Sequence, residues 1–271
     1  MEILISELKA TTDDEAIEQG LKRLKSFMDK QPIDVLFSSP GFFDLLRFTL
    51  TTATATTTTH SSLVIRFALD FINNRCTPEF LSTPPASTLL PSIALLGGNH
   101  SLSLATVALQ IIEKVSLINP SLLPQDELLK ATTESQEAVL RVIALCFKLI
   151  GKGFPLSHQW CCQRIASLST LLISPDIALS LAALELATEG LTTTIPKVGS
   201  ASDDAKWFEA VSGELICKTI INIASSSPVE GDSDSVIDPL VVSAALRSIG
   251  ELVLGLNSLL FSLFGFCVSI S

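Results

Sequence analysis

Tyrosine is absent from this chain, and histidine, tryptophan and methionine number only 3, 2 and 2. Alternating β-branched and aromatic runs are also scarce, so a sheet protein is excluded and an all-helical chain is expected. Three histidines leave few routes to a general base, and no Gly-x-Ser-x-Gly elbow is present; an enzyme is not expected. No Cys-x-x-Cys pair occurs. The six cysteines (Cys76, Cys146, Cys161, Cys162, Cys217 and Cys267) lie mostly within apolar helical patterns, without the dense spacing of a secreted disulfide scaffold. They read as reduced core thiols of a cytoplasmic or nuclear protein. Positive charge is short as well: 18 Lys and Arg against 28 Asp and Glu give a net charge of −10. That balance disfavours nucleic acid or an anionic lipid surface and favours a basic patch on a protein partner. The opening MEILISELKATTDDE has acids where a signal peptide needs a basic region followed by an apolar run, so the Asn99-His100-Ser101 sequon is expected to be idle.

What the chain does have is apolar content, 47% of its residues, and a repeated helix face. In LLPSIALLGGNHSLSLATVALQIIEKV two apolar runs meet at Gly97-Gly98-Asn99-His100. The second places Leu104, Val107, Ala108 and Ile111 at i, i+3, i+4 and i+7, which is one side of a helix. The same face recurs as Val64, Phe67, Ala68 and Phe71; as Leu140, Ile143, Ala144 and Phe147; as Leu179, Ala182, Ala183 and Leu186; and, with a polar last place, as Val241, Ala244, Ala245 and Ser248. The alanines stand 40, 36, 39 and 62 residues apart, the last gap holding one period and an insertion. A period near 40 is that of armadillo and HEAT repeats, and a small residue in this place lets neighbouring helices approach closely. The fold class predicted is therefore all-α, a right-handed α-solenoid of armadillo/HEAT-like repeats in one continuous array over 1–271, with about five to six units.

Start signals accompany the helices: Thr12 with Glu15, Ser39-Pro40, Ser87, Thr133 with Gln136, Ser157, Ser174-Pro175-Asp176 and Asp238-Pro239. Ile17, Leu21, Leu24 and Met28 make a further stripe near the N-terminus. TTATATTTT at 51–59 and SSSPVEGDSDSVID at 225–238 read as mobile loops near 51–60 and 225–238, too polar or too poor in large side chains to bury surface.

Three local clusters invite a chemical reading, and each has a simpler one. His158, Cys161 and Cys162 contain zinc-ligand types but lack a fourth group and a ligand spacing, so they read as packing, with no metal or cofactor expected. Gly151-Lys152-Gly153 is followed by Phe-Pro rather than the frame of a phosphate loop, so it reads as a helix stop. Lys22, Arg23 and Lys25 follow Asp13, Asp14, Glu15 and Glu18 on one helix, acid first and base last as the helix dipole favours, so they read as a solvated face.

Residues 252–271 carry no charge, a length able to span a bilayer. Asn257, Ser258, Ser262 and Ser269 dilute the run and no Lys or Arg follows it, so a membrane anchor is disfavoured. A terminal repeat needs a polar outer face, and its lack points to an incomplete array at the C-terminus.

The stretch from LLPSIALLGGNHSLSLATVALQIIEKVSLINPSLL through SPDIALSLAALELATEGLTT, with its Gly-Gly-Asn hinge, resembles the corresponding repeats of the family of non-ATPase regulatory subunit 5 of the 26S proteasome, and DPLVVSAALRSIGELVLG resembles a later repeat of that family. The resemblance implies an assembly chaperone for the base of the regulatory particle, one that holds a proteasomal ATPase subunit by its C-terminal domain and catalyses nothing. The other reading is a general armadillo scaffold or adaptor in signalling or trafficking, tethered to a membrane if its tail is an anchor. A peptide clamp of the importin-alpha kind is disfavoured, because the place before each Ala-Leu pair holds Phe67, Val107, Ile143, Ala182 and Ala244 rather than Trp.

The binding surface is expected two residues past each alanine, as a ladder of Asp70, Gln110, Cys146, Glu185 and Arg247. In its middle rung Val142, Cys146 and Leu149 form an apolar strip rimmed by Arg141 and Lys148, the look of an interface core.

Overall fold

The computed structural model describes residues 13–52, 59–155, 157–194, 201–226 and 237–255. Every regular element among them is helical, as the missing strand signals predict. The chain divides into two compact units, 1–138 and 139–271.

In the first unit α1 (Asp14–Met28) starts at Asp13, whose carboxylate accepts the Ala16 amide at 3.0 Å; Thr12, the predicted cap, lies outside the described residues. Ile17, Leu21, Leu24 and Met28 are all buried, while Lys22, Arg23 and Lys25 face water, with Lys22 on Glu18 at 2.8 Å. Next come α2 (Ile33–Ser38), α3 (Pro40–Thr52), α4 (Thr59–Arg75), α5 (Pro78–Leu81), α6 (Leu90–Leu95), α7 (Leu102–Ile118) and α8 (Gln125–Ala131). Residues 51–52 thus close α3 and 59–60 open α4, so only 53–58 of the predicted loop fall outside the described residues. The apolar run after Ser87 is not one helix. Pro91 has no N–H to give, so α6 restarts there between two 3₁₀ turns, Ala86–Leu89 and Leu96–Gly98.

The packing of this unit repeats itself. α3 lies against α4 and α6 against α7 as hairpins, and the hairpins stack with α4 on α7 and α3 on α6. Lys114 on α7 donates to the Asn73 side chain of α4 at 2.7 Å, which sets their C-terminal halves side by side. Arg75 ties α4 to the turn after α1 through Asp29 at 2.9 Å and the Gln31 carbonyl at 3.1 Å. The Gly97-Gly98 hinge is a close approach: a Cβ at Gly98 would lie 2.5 Å from the Ala131 carbonyl oxygen, and one at Gly97 would lie 2.8 Å from Leu109. Asn99 then turns the chain by accepting the Ser101 amide at 2.8 Å.

The second unit comprises most of α9 (Gln136–Gly151), then α10 (Gln159–Ala166), α11 (Leu168–Leu172), α12 (Ile177–Thr194), α13 (Ala201–Ala210), α14 (Gly213–Ala224) and α15 (Pro239–Gly255). The cap of α9 is Ser135, which accepts the Ala138 amide at 3.1 Å; Thr133, the predicted cap, instead finishes α8 by donating to the Lys130 carbonyl at 2.7 Å. Gly151-Lys152-Gly153 is the helix stop the sequence suggests. Gly153 takes φ +92°, with its amide on Ile150 and the Phe154 amide on Leu149, and Phe154 is buried. The run after Ser157 begins with His158 rather than Ser157 next to α10 and breaks at Ser167 into α10 and α11. Asp176 and Asp238 cap as predicted, taking the amides of Ala178 at 2.9 Å and Leu240 at 2.7 Å. Here too hairpins stack: α11 with α12, α14 with α15, then α12 on α15 and α11 on α14. Gly255 lies so close to Thr192 that a Cβ would meet its methyl at 2.6 Å, which places the C-terminal ends of α12 and α15 together.

Of the five repeat alanines, Ala68, Ala108, Ala183 and Ala245 are buried, at the tight contacts their size suggests. Ala144 is only half-buried. α9 is buried around a wide arc, with Ile143 and Phe147 of the predicted face and Val142, Leu145, Cys146 and Leu149 beside it all buried.

Candidate interaction surface

The predicted ladder divides into surface and core. Gln110, Glu185 and Arg247 are exposed, as is Lys148, and Asp70 and Arg141 are half-buried. Val142, Cys146 and Leu149 are not surface at all: Cys146 is 0% exposed and Leu149 likewise. The interface strip expected in the middle rung is therefore corrected to core, because α9 is covered around a wide arc that takes in Val142, Cys146 and Leu149 as well as Ile143 and Phe147.

Within each unit the helices bring the surviving rungs onto neighbouring elements. Asp70 on α4 and Gln110 on α7 belong to packed helices of the first unit, and Glu185 on α12 and Arg247 on α15 to packed helices of the second. Asp70 is engaged along its own helix, accepting from Arg66 Nε at 2.8 Å. Such exposed polar rungs can make hydrogen bonds and ion pairs with a partner at little cost in desolvation.

The described cysteines are held away from water. Cys76, Cys146, Cys161, Cys162 and Cys217 are free and buried; Cys267 lies outside the described residues. Burial pushes the Cys76 and Cys217 thiols up to about 12 and raises Cys162. Cys146 is driven well above the usual thiol range, first by burial and then by its hydrogen bond with Cys161 and the neighbouring thiols. A thiol must ionise to attack or to ligate, and the surroundings of Cys76, Cys146, Cys162 and Cys217 oppose it. His158 packs tilted against Phe154 with ring centres 5.0 Å apart, and among the described residues no His, Cys, Asp and Glu side chains gather as a group of three able to hold a metal ion.

Sequence reasoning missed one feature. The helix α15 leaves Leu246 57%, Val253 37% and Leu254 82% exposed, although the sequence marks Ala245-Leu246 as the same pair that is buried in α4, α7 and α12. No local signal distinguishes it, since exposure depends on what covers the helix. Residues 252–255, read from sequence with the uncharged tail, are the last turn of α15; 256–271 lie outside the described residues. No described helix is long and apolar enough to cross a membrane. No protein-family model matches this chain, and no curated protein matches it.

Proposed function

We propose that this chain is a protein-binding module, a right-handed α-solenoid of armadillo/HEAT-like units running as one continuous array, and that it serves as a cytoplasmic or nuclear assembly chaperone for the base of the 26S proteasome regulatory particle, holding one ATPase subunit. The observation that carries the binding-module reading is the like-on-like stacking of hairpins, α4 on α7 and α12 on α15, each leaving a polar rung exposed. Stacked repeats of this kind present extended surfaces for other proteins. The net charge of −10 suits a basic patch on the partner. The step from binding module to proteasome chaperone rests on the resemblance of the stretches around Gly97-Gly98-Asn99, Ser174-Pro175-Asp176 and Asp238-Pro239.

Native co-purification with quantitative mass spectrometry tests both steps. Capture of base ATPase subunits without the lid of the mature particle supports the chaperone, and direct binding of the purified C-terminal domain of the captured subunit completes it. Capture of signalling or trafficking proteins in their place leaves the module as a general scaffold, and failure to hold any folded protein removes the reading altogether. Small-angle scattering from the isolated chain tests the array itself: an elongated particle is expected, and a compact sphere overturns the solenoid.

A further inference from the structure

Along its stacked long helices the second unit turns to water a line of side chains that the first unit does not match. Counted from each buried alanine, the positions five before, one before, two after and six after lie on a single side of the helix, at i, i+4, i+7 and i+11. In the first unit the charged members of that line are already engaged: Asp70 on α4 accepts from Arg66 at 2.8 Å, and Lys114 on α7 donates to Asn73 at 2.7 Å. In the second unit the line on α12 is Ala178, Ala182, Glu185 and Glu189, all exposed. On α15 it is Leu240, Ala244, Arg247 and Glu251, exposed apart from the half-buried Ala244. None of Glu185, Glu189 and Glu251 forms an ion pair among the described residues. α12 packs on α15 with the C-terminal ends together at Thr192 and Gly255, so counting back sets Glu251 level with Glu189 and Leu240 level with Ile177. The face therefore has two halves. One is a low apolar floor of alanines between Ile177, 41% exposed, and Leu240, 66% exposed; the other is acidic.

We infer that this face of α12 and α15 seats an amphipathic helix of a protein partner, one that carries leucine-sized apolar side chains at one end and a pair of lysines or arginines about two to three turns away. The inference rests on the binding-module reading and names the chemistry of its partner. Charge complementarity fixes the basic end. Glu185, Glu189 and Glu251 stand around the single cation Arg247, and because they give up no ion pair, a partner's basic side chains reach them at little cost. The apolar end follows from Ile177 and Leu240, which no described side chain covers well, and from the alanines between them. Small side chains there let a helix approach closely and settle its own apolar residues against the two larger ones. The spacing follows from helix rise: Leu240 to Glu251 spans roughly 16 Å and Ala182 to Glu189 roughly 10 Å, at about 1.5 Å per residue. A second copy of this acidic chain would bring like charges together on the same face, so it is disfavoured as the occupant.

A synthetic helix tests it on the full chain. The probe is a fluorescein-tagged, alanine-based peptide with two leucines one turn apart and a pair of lysines about two to three turns further on; its control carries glutamates in place of the lysines. Fluorescence anisotropy should show saturable binding of the lysine peptide and none of the control. Glu185→Gln, Glu189→Gln and Glu251→Gln together should weaken binding about tenfold, as should Leu240→Ser, with helical content and melting temperature unchanged because all four side chains are exposed. Leu63→Ser, the equivalent change on α4, should leave binding unaltered. With benzoylphenylalanine in place of one leucine, light should link the peptide to residues 177–182 or 240–244. Failure of the lysine peptide to bind, equal binding of the control, equal binding by the triple variant, or a link that maps to the first unit would each overturn the inference. A dimer in sedimentation that Leu240→Ser abolishes would give the face to a second copy and overturn it equally. Native co-purification judges the binding-module reading separately: a chain that holds a folded partner yet ignores the peptide keeps that reading and loses this one.

Discussion

Cys146 shows how much one side chain's place depends on register. It is fully buried although it stands two residues past Ala144, where the other long helices carry the exposed or half-buried Asp70, Gln110, Glu185 and Arg247. Cys146→Arg is therefore expected to break the fold rather than a surface contact, costing on the order of 3–5 kcal/mol for an uncompensated buried charge. Chemical denaturation should report it as a large loss of midpoint. Gln110→Arg or Glu185→Lys, on exposed rungs, should stay within about 0.5 kcal/mol of the parent while weakening capture of a basic partner; equal capture would move the partner off the ladder. The buried thiols also set an alkaline limit. Cys76 and Cys217 have folded values pushed up to about 12 from 9.0, so their stabilising contribution is complete below about pH 9 and is lost as pH rises toward 12. In that window the unfolded chain releases protons that the folded chain retains, and stability falls by about 1.4 kcal/mol per pH unit for each such thiol. Cys217→Ala should make the fall between about pH 9 and about pH 10.5 shallower by that amount, as read from urea midpoints.

At the scale of elements, helix spacing is set by what stands at contact points. Gly98 faces the backbone carbonyl of Ala131, which cannot move aside as a side-chain tip can, so Gly98→Ala is expected to lose about 1–3 kcal/mol by overpacking. Gly250, inside α15, has no atom within 4 Å of where a Cβ would stand. Gly250→Ala should raise stability by about 0.5–1 kcal/mol through helix propensity alone. Thermal melts of the two variants should move in opposite directions, and a common direction would mean that the hinge is not tight. Much at this scale was legible beforehand: the stripe of α1 and the starts at Pro40, Asp176 and Pro239 follow from local chemistry. The caps at Asp13 and Ser135 were missed by a residue or two, because several neighbouring side chains can accept an N-terminal amide and only the packed helix chooses among them.

For the whole molecule, the far-ultraviolet circular dichroism spectrum should be dominated by helix and should survive both a chelator and a reductant, since five of the cysteines are free and buried. Loss of helix under reductant would contradict the free thiols, and loss under a chelator would overturn the expectation that no metal is needed. The sequence by itself determined that the chain is helical and that its helices share one face, because period-3.6 burial and the lack of strand formers are properties of consecutive residues. It also determined that small side chains mark the contacts at Ala68, Ala108, Ala183 and Ala245. Only the tertiary structure decided which apolar residues face outward. Val142, Cys146 and Leu149 resemble a surface strip and are core, whereas Leu246 resembles core and is open to solvent. Burial is a relation between a residue and whatever packs over it, and a helix cannot state in its own sequence whether another helix comes to cover it.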